Sequence, residues 1–195
     1  MRTVDTGPER EPAVVACVAG TRILAMRAVI EGQFGTAPVA KALTRVAPDV
    51  RAEYEQISSI AWVRASTDYL VHDAIAAALD REPLAFHEEM LRAAMARSFK
   101  TIWRVLLRLT SDEALIARTP SIYRRTRNVG QMAVKANARG SAELALSQFP
   151  AIGSRDIRSI GVGLEVVLSL TGRTAARAAA RPVTDGAIYS VTWRA

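Results

Sequence analysis

Few side chains in this sequence could do chemistry. Its 195 residues include two histidines, His72 and His87, one cysteine, Cys17, and 19 acids. A zinc site needs several nitrogen, sulfur or oxygen ligands at set spacings. His87-Glu88-Glu89-Met90-Leu91 begins like the helix of a zinc protease, but Leu91 stands where the second histidine would be. A serine nucleophile needs a histidine beside a Gly-x-Ser-x-Gly turn, and no such turn occurs. Gly161-Val162-Gly163 lies inside an apolar helical pattern, and no Gly-x-x-x-x-Gly-Lys is present. Those two glycines read as points of close approach between the helix and a neighbour. Cys17 has no partner for an internal disulfide and reads as a small buried hydrophobe. Asp73, Glu88 and Glu89 are available acids that no motif brings together. The expectation is therefore no catalytic residue and no metal site, with the cofactor unknown. His72 and His87 read as packed or surface side chains.

The densest basic cluster is Arg118, Arg124, Arg125 and Arg127. Guanidinium groups bind phosphates and carboxylates through a planar fork of donors. With the aromatic rings near them in sequence, the candidate ligand contacts are Trp103, Tyr123, Arg124, Arg125 and Arg127. The plainer reading is a solvated helix face for the arginines and core for the rings, with Trp62, Trp103 and Trp193 as core anchors. The formal net charge is +7, carried almost wholly by arginine, since only Lys41, Lys100 and Lys135 are lysines. Such a balance suits an acidic partner or nucleic acid, yet no aromatic ribonucleoprotein pattern or basic zipper occurs. An arginine- and alanine-rich coding background explains the choice of arginine, though not the sign.

The elements that must position these residues follow from periodicity. Residues 1–12 are charged and rich in Gly and Pro, and are expected to be a disordered tail ahead of a single domain over 13–195. Ala13 to Val18 is β-prone. Apolar residues at three- and four-residue steps then predict helices from Thr21, from Thr36 to Pro48, a short one from Asp49 to Tyr54, and one over 66–79. Further helices are predicted from Pro83, over 99–109, and from Ser111 towards Arg127, with Pro120 bending or breaking the last. Ile57 to Val63 reads as a buried apolar connector.

After Asn128 the period falls to two. Runs on either side of Arg139-Gly140 form one hairpin, and runs on either side of Asp185-Gly186 form another. An apolar helix over 154–171 lies between them, with Asp156 near its N-terminal dipole and Gly172 as its stop. Thr174 to Arg181 favours helix by propensity. It is assigned as a strand because the β run Ile188 to Trp193 needs a partner. The fold class is α+β, with mostly helical residues 13–127 packed on a ββαββ unit, residues 128–195, that forms a four-stranded antiparallel sheet. The helix over 154–171 is apolar on two faces, which predicts a homodimer.

Several stretches in this order carry a resemblance. They are Gly20-Thr21-Arg22, the Trp62 to Leu70 region, Trp103-Arg104-Val105-Leu106-Leu107, Pro120-Ser121-Ile122-Tyr123-Arg124-Arg125 and the terminal Asp185 to Trp193 run. The chain resembles an uncharacterised family of myxobacterial proteins. More remotely it resembles the superfamily of the 4-vinyl reductase domain, the haem nitric-oxide-binding domain and the TRAPP vesicle-tethering subunits. The resemblance spans roughly residues 14–195, and its motifs are patterns of small, apolar and aromatic residues.

The resemblance implies helices on a four-stranded sheet and a buried pocket for a hydrophobic small molecule, a tetrapyrrole or an acyl chain. In the haem-binding branch it would imply an axial histidine on a helix and a Tyr-x-Ser-x-Arg clamp. This chain departs from both: neither histidine is followed by the clamp, and no cysteine follows Cys17. The functional expectation is a non-enzymatic regulatory or sensory module for a hydrophobic small molecule or a protein partner, in the cytoplasm. The alternative is a basic adaptor for nucleic acid or an acidic protein, and an enzyme is the least expected. Any site is expected where the helices of residues 62–127 meet the C-terminal unit.

Overall fold

The computed structural model describes residues 15–98 and 111–194. The expected tail, the expected helix over 99–109 and Trp103 fall outside the described residues. The described chain begins with β1 (Cys17–Ala19), which pairs antiparallel with β2 (Trp62–Arg64). Helices α1 (Gly20–Phe34), α2 (Ala37–Leu43), α3 (Pro48–Glu55), α4 (Ala65–Ala78) and α5 (Pro83–Ser98) follow in the expected order. Pro48 does not stop α2, which ends earlier, at Leu43. It opens α3, where its missing N–H costs no helical bond. The connector Ile57 to Val63 is buried only in part: Val63 joins the core and Ile57 and Ala61 pack against it. Ile60, in the turn before β2, is 91% exposed, and Trp62 is 48% exposed on a sheet of only two strands. Trp62 is therefore not a core anchor.

The C-terminal half contains α6 (Asp112–Thr126), β3 (Gln131–Ala138), β4 (Ser141–Ser147), α7 (Ser154–Leu170), β5 (Thr174–Val183) and β6 (Gly186–Arg194). Ser111 caps α6 by accepting a hydrogen bond from the Ala114 N–H. Pro120 sits within α6 without ending it. The sheet order is β3-β4-β6-β5, antiparallel throughout. Gly140 holds the first hairpin turn at φ +78°, a conformation that suits glycine.

Residues 174–183 are a strand, against their helical propensity. Partners such as Ala178↔Val191 and Arg181↔Ile188 tie them to β6. Their alanines leave room for α7 to lie close: a Cβ on Gly161 would sit 3.7 Å from the Ala178 Cβ. Pro182 is accommodated because β5 is an edge strand.

The two faces of α7 serve two cores. Val162 and Val166 pack with the buried residues of α1 to α5, among them Ile23, Met26, Ile75 and Met90. Ile157, Ile160 and Leu168 pack with the sheet and α6, among them Leu144, Tyr189, Trp193 and Leu115. The second apolar face is thus covered within the chain, which removes the physical premise for expecting a dimer. Among the described residues no helix is long and apolar enough to cross a membrane.

Candidate functional site

A cavity of about 340 Å³ lies where the helical half meets the C-terminal unit. Its walls come from α1, α5, α6 and α7, with Met132 of β3 and Val191 of β6 as its floor. The helices run along it in a definite sense. His87 meets Ser159 and Arg92 meets Glu165, so α5 and α7 are parallel. Arg22 meets His87 and Arg97 meets the Ala28 carbonyl, so α1 runs the same way. The cavity consequently has two unlike ends. One end holds Thr21, Arg22, Thr126, Arg127 and Ser159; the other holds Met95, Leu115, Leu164, Val167 and Leu168. Ser159 and Leu168 are nine residues apart on α7, roughly 13 Å along its axis.

A row of buried polar groups backs the polar end. Asp68, His72 and His87 are all fully buried. Asp68 and His72 are one helical turn apart on α4, with Oδ1 and Nδ1 at 3.1 Å. His72 Nδ1 lies 3.1 Å from His87 Nδ1, and His87 Nε2 lies 3.1 Å from Ser159 Oγ. Arg22 Nη2 donates to Asp68 Oδ2 at 3.3 Å and stands 3.3 Å from His87 Nε2. Burial holds the His87 imidazole well below its ordinary pKa, with His72 and Arg22 acting in the same direction and Asp68 opposing. His87 is therefore neutral. Burial acts to raise Asp68, but His72 and Arg22 outweigh it and keep the carboxyl below the usual range.

A second pair closes the same end. Arg127 Nη1 donates to Asp156 Oδ1 at 2.6 Å, and the Tyr69 hydroxyl donates to the same oxygen at 2.7 Å. Arg127 reaches inward because its backbone has left the helix: it is extended (φ −142°, ψ 143°) and bridges Val18 of β1. Tyr123 is buried, lines the cavity and donates to the Val129 carbonyl at 2.7 Å. Burial pushes its phenol up to about 12, so it stays a donor at neutral pH.

The structure separates the residues that the sequence grouped. Tyr123 and Arg127 reach the cavity; Arg118, Arg124 and Arg125 are exposed on α6 and do not. Arg124 and Arg125 lie in the last turn of α6, where cations complement the helix dipole. Arg22 and Ser159, neither of them a candidate ligand contact from the sequence, line the polar end. His72 and His87 lie on two helices and still meet. The spacing of Asp68 and His72, four residues apart on one helix, was the available signal.

Asp68, His72 and His87 hold three candidate metal ligand atoms within 4.8 Å of one another. The Arg22 guanidinium, 3.3 Å from both Asp68 and His87, already supplies the positive charge that the carboxylate needs. A divalent cation would meet that fixed charge at close range, so the group reads as a support for Arg22.

No family model matches the chain, and no curated protein matches it. Solved structures do. The fold is similar to that of an H-NOX protein from K. algicida in its Fe(II) unliganded form. That match has a TM-score of 0.63 and 16% identity over 91% of this chain and 97% of that one. It is also similar to an H-NOX protein from S. oneidensis in the Fe(II)NO ligation state, with TM-score 0.61 and 10% identity over 91% and 99% of the two chains. A third is an oxygen-binding H-NOX domain related to soluble guanylate cyclases, in its oxygen complex, with TM-score 0.59 and 12% identity over 90% and 93%. At these identities the likeness speaks for architecture alone, and on that ground the chain has the α+β fold of an H-NOX domain.

Proposed function

We propose that this chain is a non-enzymatic sensory domain that binds an apolar small molecule between its helical half and its sheet. The observation that carries the reading is the cavity itself, about 340 Å³ and walled mainly by aliphatic side chains. That volume falls within the range of small-molecule pockets. No acid and no histidine lines it among the described residues, so it lacks the converging acid and base of an active site. An occupant would touch α7, the helix that serves both cores, so its presence bears on how the two halves pack.

The H-NOX neighbours contain Fe(II), and the fold raises haem as a ligand. The residues of this chain do not fit it. Haem iron is held by a histidine, a cysteine thiolate or a tyrosine, and a methionine such as the lining Met95 or Met132 serves beside a histidine. The chain's only histidines face each other at 3.1 Å, and neither lines the cavity. Cys17 is also outside the lining, and Tyr123 is engaged with the Val129 carbonyl. An iron-free organic ligand is the better match.

The test combines titration with haemin, titration with the neutral fluorescent probe N-phenyl-1-naphthylamine, and native mass spectrometry of the purified protein. The expected result is saturable binding of one probe per chain, with no axially ligated haem spectrum. Absence of probe binding, or stoichiometric haemin binding with an axial-ligand spectrum, would overturn the reading.

A further inference from the structure

We infer that the ligand is an amphiphile with an anionic, carboxylate-type head held by Arg22 and an aliphatic tail lying along α7. This rests on the reading of the cavity as a ligand site and adds the chemistry of the head. The Arg22 side chain is only 13% exposed, and it faces the polar end of the cavity. A guanidinium carries five N–H donors. The structure gives Arg22 bonds through Nη2 alone, both long at 3.3 Å, so the end of the guanidinium on the cavity side is only loosely engaged, while Nε is closed off from the cavity. Buried donors without acceptors are costly, so a side chain held this way is incomplete. A carboxylate accepts two parallel bonds from one guanidinium and would complete it.

The surroundings agree. Asp68, His72 and His87 are a costly set to bury, and together they fix Arg22 from behind without consuming its remaining donors. Thr21 and Arg22 lie in the first turn of α1, which has no acidic residue and no side-chain cap, so its N–H groups add positive potential at that end. The far end offers Met95, Leu115, Leu164, Val167 and Leu168 to a tail over roughly 13 Å, and the hydroxyls of Ser98 and Thr119 nearby donate to carbonyls of their own helices. A neutral hydrocarbon would leave Arg22 unmet, and a cationic head would face it directly.

The experiment measures dissociation constants of decanoate, decanol and decyltrimethylammonium by displacement of N-phenyl-1-naphthylamine at neutral pH. It uses the wild-type chain, Arg22→Lys and the charge-balanced double variant Arg22→Met with Asp68→Asn. Wild type should prefer decanoate over decanol by at least about tenfold, the size of a charge-assisted hydrogen bond, and should bind the cation weakest. Arg22→Lys keeps a charge for Asp68 but loses the fork, so the preference should shrink. In the double variant, which removes the guanidinium together with its carboxylate, it should vanish. If decanol and decanoate bind wild type equally, the head assignment is wrong while the cavity reading stands. If the preference persists in the double variant, Arg22 is not the head site. If none of the three displaces the probe, the cavity reading fails together with the inference.

Discussion

Gly163 offers a direct test of the cavity. It lies on the face of α7 that lines the space, and a Cβ built on it meets nothing within 4 Å. Glycine in a helix interior costs about 1 kcal/mol relative to alanine. Gly163→Ala should therefore stabilise the protein by about 1 kcal/mol, which for a domain of this size raises Tm by roughly 2–4 °C. Gly163→Phe projects a ring into the same 340 Å³. If that space is open, the ring gains burial worth about 1.5–3 kcal/mol, and the fold tolerates it. The ring also occupies the ligand's place, so binding of N-phenyl-1-naphthylamine should fall at least about tenfold. The assays are thermal unfolding followed by circular dichroism and a fluorescence titration of the probe. Stability and binding should move in opposite directions. A lower Tm for Gly163→Ala, or undiminished probe binding by a folded Gly163→Phe, would refute the reasoning.

Other perturbations bear on the buried polar groups and the sheet. Arg127→Met leaves Asp156 buried beside the Tyr69 hydroxyl without its cation, and should cost about 3–5 kcal/mol in guanidinium melts; Asp156→Asn in the same chain should recover much of it, and a loss below about 1 kcal/mol would show the pair to be dispensable. His87 is neutral when folded and takes up a proton near pH 6.5 when unfolded, so the unfolded state binds more protons below that pH. Stability is complete above it and should fall by up to about 1.4 kcal/mol per pH unit on acidification. Urea midpoints from pH 7 to 5 should show that slope in wild type and lose it in His87→Gln; a flat wild-type profile contradicts the assignment. Gly186→Ala places a Cβ 1.9 Å from the Leu146 carbonyl oxygen and should cost about 3 kcal/mol or more by prising β4 from β6, read as lost cooperativity in denaturant melts.

The two C-terminal hairpins are legible because the period-two alternation and the turns at Gly140 and Asp185-Gly186 point the same way. Thr174 to Val183 is legible only through its partner: alanine and arginine say helix, and what overrides them is the edge of β6 and the small side chains that α7 needs beneath it. Composition misleads at Ile60 and Trp62, which are exposed, whereas Val63 beside them is core. At the site, sequence proximity grouped Arg124, Arg125 and Arg127, but the helix period turns the first two to solvent and the extended backbone turns the third inward. Arg22, His87 and Ser159 come from α1, α5 and α7. Nothing local links them, and only the parallel run of those three helices brings them together.

The double duty of α7 also sets an order of events during synthesis. Chains emerge N-terminus first, and folding usually follows that order. Here the core of α1 to α5 lacks Val162 and Val166 until nearly the whole chain has been made. Among the described residues the nascent helical half therefore lacks part of its core, and the segment that supplies it arrives between the two hairpins. A fragment ending at Arg127 would stay without it, and the last third of the chain completes the first two-thirds as well as itself.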